Sequence, residues 1–482
     1  MTQPQDLAAG SRDSLRRSAP VEGRWMLVGL LALTMVTGVV GSLGAPLVPG
    51  IAVREGVSLG AAQWSLTSTL LVGAVVTPVA GRVGSGRRRR PVMLGLIALV
   101  ACGTLLAALP LGFGALVTGR ALQGLGFAVT PLALALAREQ LPEERSRPAL
   151  AAISVANVAS AGLGFPVAAL VAHVAGVKGA FWAAFAVTLV ALLVGARTVP
   201  ASVGPVEGGV DWAGATLLGT STLGLLLVIS RGGHRGYTSP VVLGLLVVAL
   251  VLMLVCVWWL LRTPRPLVDL RLACRPGVLG ANLAALIAGA GMYLLLASAM
   301  VLVQGGQDRG YGLGHSVATA GLMLAPYALA SVLGNRLALR LGPRIGPDLL
   351  LPLGCTLFGL GNLSLALWHG EVWHVVLAMV VGGLGSGATF NSIPWLMVRV
   401  VPAAETGSAL SFNMVMRFLG FSMGSALSLA LLQHFADASG RPTEDGFVAA
   451  ALVGLGICLA AALTCLLLVR SATAATGAVR SA

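Results

Sequence analysis

From Trp25 to Leu47 the chain runs for 23 residues without one charged side chain, and runs of this kind recur to its end. A helix rises about 1.5 Å per residue, so about 20 apolar residues match the roughly 30 Å hydrocarbon core of a bilayer. Measured this way, the sequence predicts fourteen spans. The first six lie near 25–47, 60–80, 91–111, 114–137, 148–172 and 178–197, and two more near 212–230 and 239–261. The last six lie near 278–303, 314–337, 348–368, 374–397, 406–433 and 447–469. Only 10% of the residues are charged and 57% are hydrophobic, whereas a soluble domain has roughly 25% charged residues. Too few polar residues exist to clothe soluble domains, so the main solvent is lipid. The first 24 residues are polar, and the apolar run after them is too long for a signal-peptide core, which predicts a retained first span.

The net charge of +14 is unevenly placed. On the fourteen-span reading, 23 basic residues fall at the termini and in alternate connections, among them Arg12, Arg16, Arg17, Arg24, Arg82 and Arg87 to Arg90. The opposite face carries six: Arg54, Lys178, Arg231, Arg235, Arg309 and Arg441. This bias predicts a multi-pass protein of the plasma membrane with both termini in the cytoplasm. It accounts for the arginine block at 87–90 without nucleic acid, because that block is a short loop between apolar runs. Two arginines remain, Arg120 and Arg417, and both fall inside apolar spans. A cation at mid-bilayer costs about 2.5 to 3.5 kcal/mol on insertion scales, so it should face a cavity or a polar partner. The amides Asn157, Asn282, Asn362, Asn391 and Asn413 are the next polar groups at depth.

The chain repeats itself. Pro142 and Pro402 each precede an Ala-Leu pair by seven residues, and a Gly-Leu-Gly stands 16 or 17 residues before each proline. Gly-Arg-Val-Gly at 81–84 matches Leu-Arg-Leu-Gly at 339–342. The predicted organisation is a tail (1–24), a six-helix bundle (25–199), two inserted helices with linkers (200–276), a second six-helix bundle (277–470) and a tail (471–482). Parallel repeats of this kind enclose a substrate site near the midplane, and the repeat overlays Asn157 on Arg417.

These motifs resemble the major facilitator superfamily, in particular its fourteen-helix drug:proton antiporter branch. Gly81, Arg82, Val83, Gly86, Arg87 and Arg88 are similar to the family's loop signature Gly-Lys-Leu-x-Asp-Arg-x-Gly-Arg-Arg, with Ser85 in place of the acid. Arg120, Gln123, Gly124 and Gly126 match its fourth-helix motif Arg-x-x-Gln-Gly-x-Gly. The run that opens with Gly162 and Gly164 resembles a degraded fifth-helix antiporter motif, Gly-Pro-x-x-Gly-Gly, with Phe165 and Pro166 for Gly-Pro and Ala169 and Leu170 for the glycine pair, and the segment from Arg417 is similar to one in the thirteenth helix. The aspartate often found in the first helix falls near Val40, and that span holds no acid.

The resemblance implies an all-α bundle of two pseudo-symmetric halves and two extra helices that rocks between inward- and outward-open states, and is expected to work as a monomer. It implies export of small amphipathic or cationic compounds such as antibiotics, driven by protons, with Arg120 lining the central cavity and taking part in proton transfer. Gln123, Asn157, Tyr327, Asn391, Asn413 and Arg417 complete the expected pathway, and the glycines with Pro166 are expected to let the fifth and eighth spans approach and bend. Glu139, Asp211 and Glu55 are the acids nearest the membrane available for proton coupling. Two other readings stand beside export: uptake or uncoupled diffusion of a metabolite, and a transporter-like receptor that binds without turnover. No Walker motif, metal-ligand cluster or nucleophile constellation occurs, so neither catalysis nor a cofactor is expected.

Overall fold

The computed structural model describes residues 5–480 apart from 58, 63, 203–208, 210, 237, 265, 307–311, 403–404 and 436–442. The described residues are helical nearly throughout. The N-terminal helices are α1 (Gln5–Ser42), α2 (Gly44–Glu55), α3 (Trp64–Val83), α4 (Arg89–Ala108), α5 (Phe113–Gly124), α6 (Val129–Gln140) and α7 (Glu143–Thr198). Then come α8 (Trp212–Arg235) and α9 (Pro240–Arg262). The C-terminal helices are α10 (Pro276–Gln304), α11 (Leu324–Ile345), α12 (Pro347–Leu367), α13 (Val372–Val400), α14 (Thr406–His434) and α15 (Glu444–Arg480). Among the described residues, eleven helices are long and apolar enough to cross a membrane. Backbone polar groups cannot stay unpaired in lipid, and a helix satisfies them within itself, which is why these apolar runs become helices.

Three boundaries depart from the expected spans. The run 25–47 is divided at Leu43 between α1 and α2. The run 114–137 is interrupted by a 3-10 turn over Leu125–Ala128, so the Gly-x-Gly of its motif marks a change of helix type. The helix α7 covers 56 residues, about 84 Å, far more than one bilayer crossing requires. It is broken at Gly176, whose φ of 70° and ψ of 178° lie outside the helical region and in a conformation that suits glycine.

Among the N-terminal helices, α7 lies along α1 and touches α2, α4 and α6, while α5 packs on α3 and α4; α7 also touches α11. Among the C-terminal helices, α13 lies against α11 and α12, while α10 lies against α14 and α15. Where the two groups meet, α3 packs on α14 and α7 on α11. A separate apolar cluster joins α8 and α9 to both groups: Ala215, Leu218, Cys256 and Leu260 pack with Leu267 and Val268, and Val79 of α3 and Phe412 of α14 close over them. The helix α9 turns most of its large apolar side chains outward, among them Leu243, Val247, Val248, Leu250, Val251 and Leu254. A contiguous apolar face of this size is a lipid-facing surface in a chain this hydrophobic.

Candidate functional site: a cavity between the two helix groups

A small, partly open cavity lies where the two groups meet. Thr130, Pro131 and Leu134 of α6 and Ser154, Asn157 and Val158 of α7 form one wall. Phe390, Ile393 and Pro394 of α13 with Leu410, Asn413, Met414 and Arg417 of α14 form the other. Thr130 and Phe390 stand 260 positions apart, and so do Leu134 and Pro394, Ser154 and Met414, and Asn157 and Arg417. This is the separation of Pro142 and Pro402, so the two walls draw on the same positions of the repeat.

Polar chemistry in the cavity is sparse and specific. The Arg417 guanidinium carbon lies 4.6 Å from the centre of the Phe390 ring, a cation–π contact that offsets part of its desolvation. Its Nη2 donates to the Met414 sulfur, a weak acceptor, and its Nε is buried without an acceptor. Among the described residues no carboxylate pairs with Arg417. Asn157 accepts from the Thr130 hydroxyl at 3.2 Å. Asn413 donates both amide protons, to the Ala281 carbonyl at 3.0 Å and to Asn282 Oδ1 at 3.1 Å. Tyr327 is buried on α11 within electrostatic reach of Arg417 and beside Ser386, yet outside the lining. The side chain of Asn391 lies outside the described residues.

Arg120 and Gln123 are placed differently from expectation: neither lines the cavity. Arg120 is wholly buried among the N-terminal helices. Its Nε donates to the Ser65 carbonyl at 3.1 Å and its Nη1 to the Val40 carbonyl at 3.2 Å, with Gln123 Oε1 as a further acceptor. The Thr69 hydroxyl donates to the Arg120 carbonyl at 2.9 Å. One guanidinium therefore ties α1, α3 and α5 together, and neutral oxygens stabilise its charge. Sequence could not separate this from a cavity position, because a helix that is apolar all round does not advertise which face meets a neighbour and which meets a void.

At the arginine-rich end the two groups are held shut. Arg82 Nη1 meets Glu405 Oε1 at 3.4 Å, and its Nη2 donates to the Pro266 carbonyl at 2.8 Å. Arg138 donates to the Val401 carbonyl at 3.3 Å and to the Thr406 hydroxyl. Arg89 pairs with Glu139, which also accepts from the Ser202 hydroxyl at 2.7 Å. Asp211 caps α8 through Gly214 N at 2.8 Å and accepts from Trp259 Nε1 at 3.0 Å, and Glu55 pairs with Arg54 at 3.0 Å. None of these three acids reaches the cavity lining.

Residues 30–313 and 281–481 both match the family described as Major Facilitator Superfamily, which together is nearly the whole chain. The chain belongs to the major facilitator superfamily. An uncharacterized transporter of this superfamily from Mycobacterium tuberculosis is 26% identical over 429 residues, 87% of this chain and 61% of that protein. The chain thus spans about three fifths of that relative. The probable actinorhodin transporter of Streptomyces coelicolor is 28% identical over 446 residues, 88% of this chain and 74% of that one. The multidrug resistance protein B homolog of Mycobacterium tuberculosis is 25% identical over 386 residues, covering 77% and 69%. Among solved structures, the human organic anion transporter MFSD10 shares the fold with a TM-score of 0.62 at 15% identity, covering 90% of this chain and 99% of that one. A peptide transporter of the POT family, in an auto-inhibited form, does so at 0.62 and 19%, covering 94% and 97%.

In this superfamily member the loop motif divides its labour. Arg82 makes the contact between the two groups, while Arg87 and Arg88 are exposed and Arg89 and Arg90 bind within the N-terminal helices. Ser85, at the position of the family's acid, is buried, Gly86 opens a 3-10 turn at φ 50°, and Gly81 is packed into the end of α3. Gly162 faces Ala328 of α11, and Gly164 faces Val39 and Ser42 of α1, which corrects the expected approach of the fifth and eighth spans. Pro166 sits inside α7. Arg138, Glu405 and Thr406 were not singled out by sequence. The available signal was Glu405 itself, a lone acid six residues past Arg399 and three past the repeated proline Pro402.

The Arg82–Glu405 contact carries a prediction. Arg82→Glu or Glu405→Arg alone should shift the closed arrangement toward opening by about 1 kcal/mol, roughly fivefold, and the double swap should restore it. Maleimide labelling of Asn413→Cys in the cavity wall measures the shift. Equal labelling in all four backgrounds would show that this pair does not hold the end shut.

Proposed function

We propose that this superfamily member is a secondary active transporter that exports small amphipathic compounds, antibiotics among them, by alternating access coupled to protons. The observation that carries the reading is a cavity between the two helix groups, walled by equivalent repeat positions, with Arg82, Arg138 and Glu405 joining the groups at one end. An actinorhodin transporter and a multidrug resistance homologue among the relatives support a drug-like cargo. Fourteen crossings in two six-helix halves, with α8 and α9 inserted, agree with the break at Gly176 and the 260-residue register, and fit the fourteen-helix branch. The arginine bias supports a plasma-membrane protein whose arginine-rich end and both termini are cytoplasmic. The working unit is a monomer.

For the coupling group, Glu405 is preferred to Glu139, Asp211 and Glu55, because it bridges the two groups while the other three are held by partners within one region. Protonation of Glu405 would remove its attraction for Arg82 and free that end to open. Proteoliposomes holding the full chain test the reading with two dyes, carboxyfluorescein and rhodamine 6G, and an imposed pH gradient. Proton-driven accumulation of a dye against its gradient, abolished in Glu405→Gln, is expected. Flux that equilibrates the dye regardless of the gradient would instead identify an uncoupled facilitator, and saturable binding with no flux would identify a receptor.

A further inference from the structure

We infer that the cavity receives an organic anion, an amphipathic carboxylate, with Arg417 as its counter-charge. The inference rests on the export reading and names the charge of the cargo. Thirteen residues line the cavity, and among them stands one guanidinium and no carboxylate. A cationic cargo would enter beside an uncompensated positive charge in a low-dielectric space, where like charges repel most strongly.

The geometry of Arg417 suits a carboxylate. The guanidinium carbon rests 4.6 Å from the centre of the Phe390 ring, and a guanidinium held in this way can offer a carboxylate two parallel N–H bonds. Those N–H groups are poorly spent: Nη2 faces only the Met414 sulfur, and Nε has no acceptor. Asn157 extends the match: it uses its oxygen for Thr130, which leaves its NH₂ as a donor, whereas Asn413 has committed both protons and offers a carboxylate nothing. Around these groups the lining is apolar, from Pro131, Leu134, Val158, Ile393, Pro394 and Leu410, so it suits an acid with a hydrocarbon or aromatic body.

Three ligands of one shape isolate charge: 2-naphthoate, 2-naphthamide and 2-naphthylmethylammonium, titrated against the full chain in phosphatidylcholine nanodiscs. Naphthoate is expected to bind about tenfold to a hundredfold more tightly than the amide, and the ammonium more weakly than either. Arg417→Gln should erase the preference for naphthoate, and Arg417→Lys should keep part of it. The comparison among ligands on the wild type stands even if a variant does not fold.

Equal binding of naphthoate and amide, tighter binding of the ammonium, a preference that survives Arg417→Gln, or no binding by any of the three would each overturn the inference. Nanodiscs of phosphatidylglycerol tell a soluble acid from a lipid headgroup, since loss of naphthoate binding there would overturn the assignment to a soluble cargo. Naphthoate binding with no dye flux would sink the export reading and leave the anion site standing. Proton-driven rhodamine flux with no naphthoate preference would do the reverse.

Discussion

Arg120→Ala is expected to destabilise the purified protein by about 3 to 5 kcal/mol, which makes it the most damaging single change in the N-terminal helices. The guanidinium is wholly buried and donates to carbonyls on α1 and α3 and to Gln123, so its removal leaves an enclosed void, cuts the ties among three helices and takes a donor from Gln123 Oε1. Thermal unfolding in detergent should fall by about 10 °C, and dye export should be lost together with folded protein. Arg120→Lys keeps the charge but only one of the directions in which the guanidinium bonds, so it should recover part of the stability. If Arg120→Ala unfolds at the wild-type temperature while proton-driven flux disappears, Arg120 acts in proton transfer and the structural role assigned to it is wrong.

Gly124→Val should rank second, at about 3 kcal/mol or more, because the intruding atom meets backbone. A Cβ at Gly124 would collide with the Thr69 carbonyl oxygen and approach Gly73 N within 3.1 Å, so α3 and α5 would have to part. Gly126→Ala is the internal control. There the nearest atoms are methyl carbons of Thr37 and Val100 at 3.1 and 3.2 Å, which can yield by small rotations, and a loss below about 1 kcal/mol is expected. Comparable unfolding temperatures for the two variants would show that backbone approach at Gly124 is not what the motif protects.

The contrast between Arg120 and Arg417 shows how far the sequence could be read. Both were visible as stranded cations, because charge inside an apolar run is conspicuous against lipid. Their fates differ because one meets neutral oxygens of adjacent helices and the other meets a cavity, and that choice depends on helix rotation, which uniform apolarity conceals. The register of 260 residues was also legible, since Pro142 and Pro402 stand out, and it extends to four pairs of cavity residues. The 3-10 turn at Leu125–Ala128 was not, because an apolar run with glycines reads alike for either helix type. Nor was the pairing of Arg82 with Glu405, which joins residues more than 300 positions apart through tertiary packing alone.

The placement of α8 constrains how cargo can reach the cavity. It leans on α3 through Gly219 and Val75 and shares an apolar cluster with Val79 and Phe412, so it covers the seam between α3 and α14 from the outside. A molecule dissolved in the acyl chains finds that lateral doorway barred. Under the alternating access proposed above, swivelling of the flanking helices would roll against α8, and the pair α8 and α9 would act as a fender on that flank.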